Sequence, residues 1–127
     1  MIVPKISIAM ATYNGEKYLS QLLDSLLVQT LLPSEIIVVD DCSYDGTLSI
    51  LETYSKKMPI KVYVNDENLG VNQNFEKAVS LTTGDYVLLC DQDDVWLPFN
   101  VESKVQALAI MPQDKPAFVA SRSIMVD

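Results

Sequence analysis

The chain has 127 residues, of which 49% are hydrophobic, and its 17 acidic against 9 basic side chains give a formal net charge of −8. This length suits one domain with a real hydrophobic core, and the apolar content argues against a disordered chain. A net negative charge without a basic cluster argues against binding to a nucleic acid polymer. The absence of histidine excludes Ser-His-Asp catalysis and histidine-ligated metal sites.

Short apolar runs rich in β-branched residues alternate with helical patterns along the chain, which is typical of a parallel α/β sheet. The predicted strands are 6–12, 35–41, 60–65, 86–91 and 117–120, and the predicted helices are 16–31, 45–57, 71–82 and 100–111. The continuous run 35–41 predicts a strand buried on both faces, whereas the alternating run 60–65 predicts a strand nearer the edge. We therefore predict one mostly parallel α/β domain over residues 1–127, with helices on both faces.

Single residues mark the ends of these elements. Asn14 is predicted to cap the first helix, and Asp45 or Ser43 the second. Gly70 is predicted to supply a bend with positive φ, and Gly84 to end the third helix in the left-handed conformation.

The two cysteines, Cys42 and Cys90, show no CxxC spacing. Both are interpreted as small buried hydrophobic residues in a reducing, cytoplasmic setting. The first residues lack the pattern of a secretion signal, and no apolar run approaches the ~20 residues of a membrane-spanning helix.

Acidic residues are concentrated near the carboxyl ends of predicted strands, where open parallel sheets bind their ligands. The sharpest cluster is Asp91-Gln92-Asp93-Asp94, directly after the buried run 86–90. Three carboxylates so close together repel one another unless a hard divalent cation balances them, and Mg²⁺ takes such oxygen ligands together with waters and phosphates. The alternative is a solvated acidic turn that caps the next helix.

Asp40 and Asp41 end the second strand, a position at which an acidic residue commonly binds a ribose or base. The alternative for this pair is helix capping across the turn that contains Asp45. Tyr13 follows the first strand, where its ring could stack on a nucleobase or merely cover the core. No GxGxxG or GxxxxGK[ST] pattern is present, so any bound phosphates would rely on a metal ion instead of a glycine-rich loop.

Four segments together resemble family 2 glycosyltransferases of the GT-A fold, which is Rossmann-like. They are ISIAMATYNGEKYLSQLLDSLLVQT, EIIVVDDCSYDGT, NLGVNQNFEKAV and GDYVLLCDQDDVWLP, in the order and at the separations of the family. The resemblance covers about residues 4–112 and is strongest to the rhamnosyltransferase-like subset. It implies transfer of a sugar, with inversion, from a nucleoside-diphosphate sugar donor to an acceptor hydroxyl of a glycan or lipid-linked saccharide.

The resemblance also implies roles for individual residues. Ala11, Tyr13 and Asp41 would contact the nucleobase or its ribose, Tyr13 by stacking and Ala11 through its backbone. Asp93 and Asp94 would face the donor ribose and diphosphate through Mg²⁺ or Mn²⁺, and Asp91 would begin the metal-binding motif.

One part of the family pattern is missing from the sequence. The general base of the family is a carboxylate well beyond the metal motif, and no family motif surrounds the last carboxylates, Asp114 and Asp127. We therefore expect residues 1–127 to be the nucleotide-binding half, with the base and the acceptor-binding half beyond residue 127. Such a fragment would be inactive alone and prone to self-association through exposed apolar surface.

Two other functions compete with this interpretation. One is a nucleotide- or metal-binding module without catalysis. The other is a phosphoryl-receiving domain, which is disfavoured because the first strand ends in Thr12-Tyr13 instead of an acidic pair. A family member with a lipid-linked acceptor would work in the cytoplasm at the inner face of the membrane.

Overall fold

The computed structural model describes residues 4–109 and 124–125, in which strands and helices alternate. The strands are β1 (Ile6–Thr12), β2 (Glu35–Asp40), β3 (Ile60–Val64), β4 (Tyr86–Asp91), β5 (Asp94–Val95) and β6 (Ile124–Met125). The helices are α1 (Glu16–Leu27), α2 (Thr47–Ser55), α3 (Val71–Ser80) and α4 (Asn100–Ala109). The predicted parallel α/β fold is confirmed, because β1 to β4 pair in parallel in the order β3-β2-β1-β4.

The chain reverses its direction of progress across the sheet at β1. From β1 it continues to β2 and β3 on one side, and it then returns to place β4 on the other side. The register pairs Ala11 of β1 with Val39 of β2 and with Asp91 of β4. The carboxyl ends of β1 and β4 therefore lie side by side at the point where the strand order reverses, which is the usual ligand position in such sheets.

Both faces of the sheet carry helices. The larger core lies under α1, α2 and α4 and includes Ile8, Met10, Leu22 and Leu51. The smaller core lies under α3 and contains Ala9, Ile37, Val39 and Ala78. All six residues of β2 are buried and β3 is an edge strand, as the continuous and alternating apolar patterns predict.

The first helix begins at Glu16 as predicted, but the predictions of its end and of its capping residue were wrong. The helix ends at Leu27 instead of 31, because the chain turns away and the Thr30 N–H donates a hydrogen bond of 2.7 Å to the Pro98 carbonyl. Asn14 does not cap the helix, since the N-cap residue is Gly15. Asn14 has a φ of 47°, and its side-chain oxygen accepts the Tyr44 N–H at 2.9 Å.

The predictions for the two glycines had opposite outcomes. Gly70 has a φ of +90°, as predicted. Gly84 is not in the left-handed region, so that prediction was wrong. It is needed for close packing, because a Cβ at this position would lie 2.9 Å from the Lys5 carbonyl oxygen and from the Ser7 amide nitrogen.

The remaining predictions concern the cap of the second helix and the burial of the two cysteines. Asp45 accepts the Thr47 N–H at 2.9 Å at the start of α2, whereas Ser43 accepts the Asn14 N–H. Cys90 is buried as predicted, but Cys42 is partly exposed, and its thiol donates to the Asn65 carbonyl at 3.0 Å.

The sequence did not predict the antiparallel pair of β5 and β6. The predicted strand 117–120 and the predicted end of the last helix at 111 lie outside the described residues. Among the helices that are described, none is long and apolar enough to cross a membrane.

Candidate functional site

A cleft of about 370 Å³ opens at the carboxyl ends of β1 and β4. It is lined by residues at or just after the ends of these two strands and by the first turns of α3. These residues are Ala11, Tyr13, Val71, Phe75, Asp91, Gln92, Asp93 and Asp94. Five of the six predicted site residues meet here, and Asp41 is the exception. The cleft occupies the position at which the strand order reverses.

One side of the cleft is apolar and aromatic. The Tyr13 ring is 44% exposed, and its edge-to-face contact with Tyr44 has a centroid distance of 6.4 Å. Val71 and Phe75, one helical turn apart on α3, also line the cleft. An exposed tyrosine beside an apolar wall suits a planar aromatic ligand such as a nucleobase.

The sequence analysis did not identify Val71 or Phe75 as cleft residues. Their spacing of four predicts one face of a helix, but it does not indicate which face looks into the cleft. Val71 is 64% exposed although it is apolar. An exposed apolar side chain that lines a cleft indicates a ligand contact more clearly than an apolar residue does by itself.

The other side of the cleft is acidic. Asp91 ends β4 and is exposed, Asp93 lies in the following turn, and Asp94 begins β5 and is buried. Partial desolvation, together with the negative charges of Asp94 and Asp93, raises the pKa of Asp91 above its ordinary value.

These residues fit a hard divalent cation that has further ligands. Carboxylate oxygens suit Mg²⁺ or Mn²⁺, and a cation beside Asp91 would offset the desolvation and the like charges that raise its pKa. Across residues 4–109 and 124–125, no group of three or more His, Cys, Asp or Glu side chains is placed to hold a metal. The cation would therefore need oxygen ligands from phosphate and water as well, which is the usual way in which proteins bind Mg²⁺ with its substrates.

A buried cation lies behind the acidic turn. Lys104 of α4 is only 6% exposed, and its ammonium lies 4.3 Å from the centroid of the Trp96 ring. Burial lowers the pKa of Lys104, while the nearby Cys90 and Asp94 act in the opposite direction. The positive charge of Lys104 thus offsets part of the negative charge at Asp94.

Asp41 faces a loop instead of the cleft. Its Oδ1 accepts the Leu69 N–H at 2.7 Å and the Asn65 side-chain amide at 3.0 Å, and its Oδ2 accepts the Gly70 N–H at 3.1 Å. Burial opposes ionisation of Asp41, but these hydrogen bonds outweigh it and lower its pKa to about 2. The carboxylate thus holds the loop that leads into α3.

Asp40 likewise points into the protein. Its Oδ1 accepts the Thr12 hydroxyl at 2.7 Å and the Ser43 hydroxyl at 2.6 Å, and its Oδ2 accepts the Ser43 N–H at 2.8 Å. The carboxylate therefore ties the end of β1 to the turn after β2. Neither Asp40 nor Asp41 lines the cleft.

A buried polar network extends from Asp41 to α3. The Asn65 amide donates to Asn74 Oδ1 at 2.6 Å as well as to Asp41, and the Lys77 ammonium donates to Asn65 Oδ1 at 2.8 Å. This network sets the position of α3, whose first turns form the cleft wall. The roles of Asn65, Asn74 and Lys77 in this network were not predicted from the sequence.

A parallel sheet with an aromatic and acidic cleft at this position defines a candidate nucleotide-binding α/β domain. The family model for "Glycosyl transferase family 2" matches residues 7–114. The chain therefore belongs to family 2 of the glycosyltransferases, and its fold is GT-A, as the sequence resemblance implied.

Individual relatives agree with this assignment. An uncharacterized protein of Mycobacterium tuberculosis is 33% identical over 126 residues, which are 96% of this chain and 36% of that protein. Poly(ribitol-phosphate) beta-N-acetylglucosaminyltransferase TarS of Staphylococcus aureus is 41% identical over 112 residues, which are 86% of this chain and 19% of TarS. The chain thus spans roughly a fifth to a third of the length of these relatives.

Solved structures show the same fold. The crystal structure of residues 1–349 of S. aureus TarS in complex with UDP superposes with a TM-score of 0.76 at 35% identity, over 83% of this chain and 32% of that one. A mannosyltransferase from Pyrobaculum calidifontis in complex with GDP-Man and Mn²⁺ gives a TM-score of 0.77 at 25% identity, over 86% of this chain and 33% of that one.

Proposed function

We propose that this chain is the donor-binding part of an inverting glycosyltransferase that uses a nucleoside-diphosphate sugar and a divalent metal ion. The observation that carries the proposal is the cleft itself, which is lined both by Tyr13 and by the Asp91–Asp94 turn. Family membership supports it, and so do the relatives that were crystallised with UDP, UDP-GlcNAc or GDP-Man and Mn²⁺.

The aromatic residues of the cleft bind the nucleoside, and the acidic residues bind the diphosphate through the metal ion. The Tyr13 ring stacks on the nucleobase, and the Ala11 backbone borders the base or ribose. Asp93 and Asp94 hold Mg²⁺ or Mn²⁺, with Asp91 at the start of the motif. When bound, the metal ion supplies electrostatic stabilisation of the departing diphosphate. In this structure the Asp41 carboxylate accepts hydrogen bonds from the loop at 65–70. A direct contact of Asp41 with the base or ribose stays a prediction.

Sugar transfer also needs a base that deprotonates the acceptor hydroxyl. Within the described residues, the carboxylates that line the cleft are those of Asp91, Asp93 and Asp94, which serve the diphosphate end. The general base is therefore expected beyond residue 127, as the family resemblance implies. The acceptor is a glycan or lipid-linked saccharide, and the reaction takes place in the cytoplasm at the inner face of the membrane.

Calorimetric titration of the chain with UDP, GDP and dTDP, each with and without Mn²⁺, tests the donor site. We expect metal-dependent binding of at least one nucleotide, and its loss in Asp93→Asn/Asp94→Asn. The matched control Asp66→Asn/Glu67→Gln removes two carboxylates from an exposed loop and should bind as the wild type does. The proposal is wrong if none of the three binds with Mn²⁺, or if the Asp93/Asp94 variant binds as tightly as the wild type.

A nucleotide-binding module without transfer would give the same titrations. The absence of a further carboxylate from the described part of the cleft favours this second candidate for the chain alone. Release of nucleoside diphosphate from a nucleotide-sugar, measured with an acceptor on a longer chain, distinguishes the two.

A further inference from the structure

Gln92 joins the two sides of the cleft through its side chain. The Tyr13 N–H donates to Gln92 Oε1 at 2.8 Å, and Gln92 Nε2 donates to the Tyr13 carbonyl at 3.0 Å. The backbone pairing of β1 with β4 ends at Ala11 opposite Asp91. The Gln92 carboxamide therefore continues this pairing by one more step, because it offers the same donor and acceptor as a peptide group.

This arrangement depends on the side chain at position 92. A glutamate would keep an acceptor for the Tyr13 N–H but would have no donor for the Tyr13 carbonyl at neutral pH. An asparagine has the right groups but is one methylene shorter. Gly15 leaves the necessary space, since a Cβ at this position would lie 2.7 Å from Gln92 Cδ and closer still to its Oε1.

We infer that Gln92 is a positioning residue that holds Tyr13 at a fixed distance from the acidic turn, so that one nucleoside diphosphate engages both sides of the cleft. The inference rests on the proposed function, in which Tyr13 contacts the base and the aspartates face the diphosphate. Tyr13 is 44% exposed, and the next residue, Asn14, is held by its hydrogen bonds with Ser43 and Tyr44. The two hydrogen bonds of Gln92 are those that tie the Tyr13 backbone directly to the acidic turn.

The test compares a ligand that uses both sides of the cleft with one that uses the acidic side alone. UDP with Mn²⁺ is the first probe, replaced by GDP or dTDP if the wild type binds one of these more tightly, and inorganic pyrophosphate with Mn²⁺ is the second. In Gln92→Ala we expect nucleotide affinity to fall about tenfold, the effect of losing one or two net hydrogen bonds. Pyrophosphate affinity should change less than about twofold. Gln21→Ala, at an exposed position of α1, is the matched control.

A double-mutant cycle with Gly15 tests the contact from the other side. Gly15→Ala should push the Gln92 side chain away from Tyr13 and weaken nucleotide binding by a similar factor. The double variant Gly15→Ala/Gln92→Ala should then be no weaker than either single variant, because both changes remove the same restraint. Full additivity, about a hundredfold loss, overturns the inference.

The remaining outcomes separate this inference from the proposed function. If the wild type binds the nucleotide and Gln92→Ala binds it equally well, or loses pyrophosphate to the same extent, the inference is wrong and the donor site stands. If the wild type binds none of the nucleotides with Mn²⁺, both are wrong. If it binds them no more tightly than pyrophosphate, the inference alone is wrong, because Tyr13 then adds nothing to binding.

Discussion

The carboxylate of Asp41 is expected to be one of the main polar contributors to folding stability. In Asp41→Asn, an NH₂ group replaces one of two oxygens that together accept the Leu69 N–H, the Gly70 N–H and the Asn65 amide. At least one donor then loses its acceptor, and the remaining bonds lose the help of the negative charge. Hydrogen bonds to charged groups contribute about 1.5–3 kcal/mol each, so we expect a loss of about 2 kcal/mol.

The effect should depend on pH in a defined direction. The pKa of Asp41 is lowered to about 2 in the folded protein, so between its folded pKa and its ordinary value the unfolded chain binds more protons. The stabilisation is therefore complete above about pH 4 and is lost as the pH falls towards 2. The difference between wild type and Asp41→Asn should shrink over that window.

Urea unfolding at pH 7, followed by the fluorescence of Trp96, measures this loss. Trp96 is the single tryptophan of the sequence and is 3% exposed, so its emission should change on unfolding. Asp66→Asn is the matched control, because Asp66 is an exposed aspartate of the loop to which Asp41 is hydrogen-bonded. A free energy of unfolding for Asp41→Asn within about 0.5 kcal/mol of the wild type, the usual range for surface substitutions, would refute the reasoning.

Three further predictions concern other positions. Gly84→Ala should lower the free energy of unfolding by about 1–3 kcal/mol, since its Cβ meets the backbone of Lys5 and Ser7; an unchanged urea midpoint would contradict the close approach. Gly70→Ala should cost about 1–3 kcal/mol although no atom lies within 4 Å of its Cβ, because φ is +90° and ψ is 163°; equal stability would show that the loop can relax. Tyr13→Ala should weaken nucleotide binding about tenfold, whereas Tyr13→Phe should bind as the wild type does; equal losses in both, measured by titration, would indicate that the hydroxyl is used instead of the ring face.

The second strand could be predicted because it is buried on both faces. The run EIIVVD in β2 is apolar without alternation, and its residues are all buried. The end of α1 could not be predicted, because the apolar pattern continues to Leu31, which still packs on the core after the helix has ended. There the long-range bond from Thr30 to Pro98 overrides the local pattern.

The candidate site was predictable where it depends on chain order alone. Tyr13 and Asp91 follow neighbouring parallel strands, so their meeting follows from the topology. The direction in which a side chain points at a strand end could not be predicted, because it depends on the path of a loop that is distant in the sequence. Asp41 faces inward since the loop at 65–70 brings amides to it, and no pattern around Asp41 encodes that path.

The two acidic stretches therefore carry their negative charge in different ways. Asp41 and Asp45 accept hydrogen bonds from protein groups, and their pKa values are lowered despite the opposing effect of burial. Asp91 has like charges as neighbours, and its pKa is raised. A carboxylate already stabilised by amides gains little from a cation, whereas carboxylates that repel one another gain more. The cation and the diphosphate are therefore expected at the Asp91–Asp94 turn, while the acidic stretch after β2 supports the loop and helix that face it.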